Sequence, residues 1–127
     1  MVNRLVRVLH VDDLEEEFIL LRELLSDVED LEFEFQWVAD VRTAMQIIQN
    51  MKFDICLVDY HLGIDKGSDL IHMALDNDIR MPFILMTGQK DPSIEREALK
   101  IGTRLCIDKN EITTSILLKA IQDTLGN

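Results

Sequence analysis

Basic side chains are scarce in this chain of 127 residues: 13 lysines and arginines face 24 aspartates and glutamates, for a formal net charge of -11. So acidic a surface repels phosphate backbones and anionic lipid headgroups, which argues against direct nucleic-acid binding and against a membrane partner. Cysteine is nearly absent. Cys56 and Cys106 stand inside apolar, strand-like runs without metal-ligand spacing, so buried reduced thiols in a cytoplasmic protein are expected and a disulfide framework is not. No apolar segment is long enough for secretion or membrane insertion, and solubility is expected. Linkers and repeats are missing too. No glycine-rich loop of dinucleotide or P-loop type follows the first strand-like run, which disfavours nucleotide binding. What remains is 14.7 kDa with 47% apolar residues, enough to close one core, so residues 1–127 are expected to form a single domain.

The stretch Ile55-Cys56-Leu57-Val58-Asp59 organises the rest. Four apolar residues ending on a carboxylate read as a strand buried on both faces of a parallel sheet. The carboxyl edge of such a sheet is where ligands bind, so Asp59 is placed for a ligand or for chemistry. Before it, Leu5 to Val11 forms a first core strand that stops at Asp12-Asp13, with His10 read as packed or hydrogen-bonded in place. Leu14, Phe18, Leu21, Leu25 and Val28 then make the stripe of a first helix, and Glu15-Glu16-Glu17 reads as a solvated, dipole-stabilised first turn. Phe33 to Val38 alternates apolar and polar, as at a sheet edge, and Asp40 can cap a second helix whose stripe runs from Val41 to Met51.

Beyond Asp59, Gly63 and Gly67 bracket a loop before a third helix. Pro82 to Met86 is a fourth strand ending at Thr87-Gly88. Asp91-Pro92-Ser93 starts a short fourth helix that Gly102 stops, and Leu105-Cys106-Ile107 is a fifth strand leading to Asp108-Lys109. Thr113 or Thr114 can cap the last helix. Five alternations of strand and helix predict an α/β fold: one doubly wound five-stranded parallel sheet with helices on both faces.

The strand ends then gather Asp12, Asp13, Asp59, Thr87 and Lys109 along one edge. Three crowded carboxylates repel one another unless a hard cation sits among them, and an oxygen-rich site of this kind suits Mg2+. The cation, the Lys109 ammonium and the Thr87 hydroxyl would stabilise the oxygens of a phosphoryl group in transfer. Asp59, already ionised at neutral pH, would be the nucleophile without help from a general base. Singly each residue has an ordinary reading: Asp12 or Asp13 as a helix cap, Lys109 as a surface lysine, Thr87 as a turn residue.

With these residues the chain resembles the receiver domain of bacterial two-component response regulators, single-domain chemotaxis-type receivers among them. The match runs through Asp12-Asp13, Asp59, Thr87-Gly88 and Lys109, from about residue 5 to 125. The resemblance implies a (βα)5 flavodoxin-like fold and a signalling phosphoacceptor, not an enzyme acting on separate substrates. It implies that Asp59 takes its phosphoryl group from a histidine kinase or phosphotransfer protein. Mg2+ would be held by Asp12, Asp13, Asp59 and the backbone carbonyl of His61, with Lys109 and Thr87 on the phosphoryl oxygens. Gly88 fits the family's preference for a very small residue beside the switch hydroxyl, and His61 and Gln89 occupy positions that influence dephosphorylation. Output would pass through the fourth helix, fifth strand and fifth helix to an effector protein or to an effector domain missing from this chain, with homodimer formation on phosphorylation a further implication.

Two positions depart from the family. Cys106 stands where an aromatic ring usually turns inward, so coupling through a rotating ring cannot operate unchanged. Asn110 replaces the proline after the lysine, and since a non-proline cis bond costs about 3 kcal/mol, a trans bond and a differently shaped loop are the alternative there. The nearest rival, a Mg2+-dependent phosphatase or hydrolase with an aspartyl nucleophile, would carry a second Asp two residues after the first, where this chain has His61. A receiver-like module that binds partners without phosphorylation is opposed by the complete set of acidic, hydroxyl and ammonium groups.

Overall fold

The structure, a computed structural model, describes residues 4–88, 91–103 and 105–126. Chain order gives β1 (Arg4–Val11), α1 (Glu15–Leu24), β2 (Leu31–Val38), α2 (Val41–Asn50), β3 (Ile55–Asp59), the two-residue strands β4 (His61–Leu62) and β5 (Asp65–Lys66), and α3 (Gly67–Asp76). There follow β6 (Phe83–Thr87), α4 (Pro92–Lys100), β7 (Leu105–Asp108), a 3-10 turn (Lys109–Glu111) and α5 (Thr114–Thr124). Five strands form one parallel sheet in the order β2-β1-β3-β6-β7. This is the expected doubly wound, flavodoxin-like fold.

Every residue of β3 and of β6 is buried, as continuous apolar runs at the centre of a covered sheet should be. Alternation along the strands sends Leu9, Val11, Cys56, Val58 and Leu85 into one core layer, beneath α2, α3 and α4. Val6, Val8, Leu57, Ile84 and Met86 enter the other, against α1 and α5. Local capping chemistry sets several boundaries. The Asp40 carboxylate accepts the Thr43 amide at 2.7 Å, Asp91 accepts Ser93 at 2.9 Å with Pro92 opening α4, and the Thr113 hydroxyl accepts Ile116 at 3.2 Å. Gly102, at a φ of +87°, closes α4 as expected.

Three local expectations change. The stripe assigned to the first helix overruns it: α1 ends at Leu24, Leu14 is exposed, and only Leu21 and Leu25 of that set are fully buried. Asp12 and Asp13 are not the N-cap of α1, which is Leu14 without a side-chain bond; Asp12 lies two residues earlier, where one oxygen accepts the Leu14 amide and the other Lys109. Within the loop expected between Gly63 and Gly67, Asp65–Lys66 is a short strand that pairs antiparallel with His61–Leu62, the chain reversing at Gly63 (φ +66°).

Gly67 needs its missing side chain for space. Its amide donates to the Tyr60 carbonyl at 2.7 Å, and a Cβ there would collide with the main-chain carbonyl of Asp59. Because the obstacle is backbone, Gly67→Ala is expected to destabilise the fold by roughly 3 kcal/mol, the upper end for overpacking. Urea unfolding of both proteins measures this, and an unchanged midpoint would contradict it. Among the described residues, no helix is long and apolar enough to cross a membrane.

Candidate functional site

Parallel register brings the strand ends into line. Val11 pairs with Val58, Asp59 with Met86, and Thr87 with Asp108, so the residues that end β1, β3, β6 and β7 open onto one edge. Asp12 follows β1 fully buried, Asp59 closes β3 and Thr87 closes β6, both buried, while Asp13 is exposed. From the turn after β7, Lys109 reaches back across the edge. Its Nζ donates to Asp12 Oδ2 at 2.8 Å, lies 3.1 Å from Asp59 Oδ2 and stands 4.0 Å from Glu17 Oε1.

Charge and burial compete in this pocket. Burial works to raise the Asp12 carboxyl, but the neighbouring His10, Lys109 and the Leu14 amide outweigh it and hold the group below its usual range. Asp59 is pushed the other way: burial dominates and the charge of Asp12 adds to it, against Lys109 and the backbone amide of His61. Burial disfavours the Lys109 ammonium, yet Asp12 and Asp59 raise it above an ordinary lysine. The ammonium offsets one carboxylate charge. Asp12, Asp13 and Asp59 can each offer one oxygen, all within 4.8 Å of one another. An all-oxygen set with surplus negative charge fits a hard divalent cation such as Mg2+, which completes its shell with water.

The other expected residues vary in what surrounds them. His61 is exposed, and its amide donates to Asp59. A Cβ on Gly88 would meet nothing within 4 Å, so local space does not demand glycine there, and the Gly88 carbonyl accepts a 2.7 Å bond from Asn110 Nδ2. The described chain contains no cis peptide bond, which includes Lys109–Asn110. Cys106 is half-buried between the α2–α4 core layer and a groove with Glu95, Asp108, Ile116 and Ala120. Burial pushes its thiol up, with Glu95 and Asp108 adding to the effect. Gln89 lies outside the described residues.

Sequence reasoning passed over four participants. Glu17, assigned to solvent, is half-buried beside Lys109. Trp37 donates its indole N–H to the Asp12 carbonyl at 2.8 Å. Asn110 ties the lysine's turn to Gly88, as above. Tyr60, next to Asp59 in the chain and only 6% exposed, donates its hydroxyl to Glu97 of α4 at 2.8 Å. The Ser68 hydroxyl and this phenol hold Glu97 below the usual range, while burial and Glu97 push the phenol up. The alternation of β2 pointed to Trp37 as a strand residue, but its partner depended on the cross-strand register.

Residues 8–122 match the sequence profile of the response regulator receiver domain. No curated protein sequence matches the chain significantly. Among solved structures, a CheY-like response regulator receiver domain protein from Methanospirillum hungatei JF-1 is 25% identical, with a TM-score of 0.82 over 95% of this chain and 94% of that one. The chemotaxis protein CheY4 of Vibrio cholerae is 22% identical, with a TM-score of 0.81 over 94% and 98%. A Burkholderia pseudomallei response regulator, with a phosphorylated aspartic acid, calcium ion and citrate, is 23% identical, with a TM-score of 0.79 over 94% and 68%.

Proposed function

Because this chain belongs to the response regulator receiver family, we propose that Asp59 is its phosphoacceptor and Mg2+ its cofactor, with a histidine kinase or phosphotransfer protein as donor. The observation that carries the reading is the reach of Lys109 across the sheet edge, 2.8 Å from Asp12 and 3.1 Å from Asp59. An ammonium held over a buried carboxylate is placed to meet the oxygens of an incoming phosphoryl group.

In the step itself an Asp59 oxygen forms the bond to phosphorus, and the bond to the donor breaks with its electron pair leaving on the donor. The carboxylate is already ionised and gives up no proton. Bound between Asp12, Asp13 and Asp59, with the His61 carbonyl, the cation would supply positive charge to the phosphoryl oxygens. Lys109 adds its ammonium, and Thr87, at the end of β6, adds a hydroxyl. Two residues after Asp59, where an aspartyl phosphatase carries its second Asp, this chain has His61, which favours a signalling acceptor over a hydrolase.

The output surface is α4, β7 and α5, read by an effector protein or an effector domain, in the cytoplasm, with homodimer formation on phosphorylation as one form of response. With Cys106 at the position of the usual ring, two other ties reach this region: Tyr60 to Glu97 and Asn110 to Gly88. Loss of the Lys109–Asp12 bond on phosphorylation, with α4 moving between two packings, is a small bistable change.

Acetyl phosphate tests the reaction. With Mg2+, intact-mass measurement should show one added phosphoryl group, and chelation of the metal should abolish the adduct. No adduct under saturating Mg2+, or equal labelling in EDTA, would overturn the reading.

A further inference from the structure

One polar side chain beside the acidic pocket is not accounted for by packing. His10 is fully buried and follows Val6 and Val8 into the α1/α5 side of the sheet, with Trp37 and Leu57 as strand neighbours and the Phe18 ring 5.9 Å away. Among the described residues neither of its ring nitrogens has a hydrogen-bond partner. A buried donor or acceptor without a partner lowers the folding equilibrium constant by about tenfold, so leucine would serve this layer better. Its Nε2 stands 3.7 Å from Asp12 Oδ2, beyond hydrogen-bond length. That oxygen already accepts Lys109 Nζ at 2.8 Å, while Oδ1 accepts the Leu14 amide at 3.0 Å.

Resting on the reading of Asp12 as a cation ligand, we propose that His10 is a positioning residue for the metal site, its Nε2–H replacing Lys109 on Asp12 once cation and phosphoryl group are bound. In this reading Lys109 gives up its bond to Asp12 as it turns to the phosphoryl oxygens. Its departure leaves Asp12 Oδ2 without its donor, and the imidazole needs only a small approach to supply one. The unpaired nitrogen is then a cost of the resting state, relieved in the loaded one. A ligating carboxylate relies on such an outer donor for its orientation, and losing that donor typically weakens metal binding 10- to 100-fold.

The full chain carries its own probe: Trp37 is the one tryptophan and its indole is bonded to the Asp12 carbonyl. With beryllofluoride in excess as the stand-in for the phosphoryl group, Mg2+ titration followed by tryptophan emission, with calorimetry as a second readout, should give His10→Leu an affinity about 10- to 100-fold below the parent. In EDTA the same variant should melt at an equal or higher temperature, because it removes the unpaired nitrogens. His10→Gln, whose amide reaches about as far as Nε2, should recover most of the affinity. A purely structural histidine predicts the opposite split, with stability falling and affinity kept. The proposal is overturned if, with beryllofluoride present, His10→Leu binds Mg2+ within about twofold of the parent, or if it weakens only together with a lower melting temperature in EDTA. A parent protein without saturable Mg2+ binding would remove the metal reading itself and this proposal with it.

Discussion

Asp59→Asn is expected to take up no phosphoryl group from acetyl phosphate and yet to melt at a higher temperature than the parent at neutral pH. The first half follows from losing the nucleophile: an amide oxygen is too weak to form the bond to phosphorus. The second follows from linkage. Burial, with the charge of Asp12 adding to it, raises the Asp59 carboxyl above its ordinary value of 3.8 despite Lys109 and the His61 amide. A carboxyl with a raised folded value is best tolerated neutral. Its favourable contribution is complete below the unfolded value and is lost as pH rises through the folded one. At pH 7 the ionised group therefore works against the resting fold, and asparagine, neutral at every pH, removes that cost. Melting in EDTA across a pH series should show parent and variant converging at acid pH and separating as pH rises past the carboxylate range. A phosphoryl adduct on the variant, or a lower melting temperature at pH 7, would refute the assignment. Saturating Mg2+ should narrow the gap, since the parent keeps a ligand that the variant lacks.

Lys109→Met should do the reverse to stability. The ammonium is the cation that neutralises the buried Asp12 carboxylate at 2.8 Å and shares itself with Asp59 at 3.1 Å. Removing one partner of a buried pair leaves the other without its counter-charge, a loss of about 3 kcal/mol. Methionine keeps most of the volume, so the loss reports charge rather than packing. The same substitution removes a competitor for the carboxylates, and Mg2+ should bind at least as well as in the parent. Added Mg2+ should accordingly restore much of the lost stability, a recovery read directly from urea midpoints with and without the metal. Phosphorylation, if it still occurs, should no longer change partner affinity. A variant as stable as the parent in EDTA would mean that the ammonium contributes little to holding the pocket.

What could be read along the chain was what depends on neighbours in sequence. The run Ile55–Asp59 announced a buried strand because a strand covered on both faces has no polar alternation to hide it, and Asp40, Asp91 and Thr113 announced helix starts because capping is a contact between residues two or three apart. The pocket was legible for the same reason at one remove: once the strands are parallel, their last residues share an edge. Contacts set by register or by distant elements were not. His10 was expected packed or hydrogen-bonded, and it is packed with neither nitrogen paired among the described residues. The helix stripe continued past the end of α1 because Leu25 is buried just beyond its last turn. Glu17 looked like one more acid in a first turn, and only the reach of Lys109 from the other end of the chain separates it from Glu15 and Glu16.

The bond between Tyr60 and Glu97 joins positions 37 residues apart, and it constrains how this sequence can drift. A phenylalanine at 60 alone strands a partly covered carboxylate. A leucine at 97 alone strands the phenol. Changed together to apolar residues of matching shape, the two positions lose a donor and an acceptor at once, and the cost nearly cancels. Relatives that keep this geometry should therefore vary at the two sites as a linked pair, so the tie between the end of β3 and α4 would be visible as a correlation between two alignment columns.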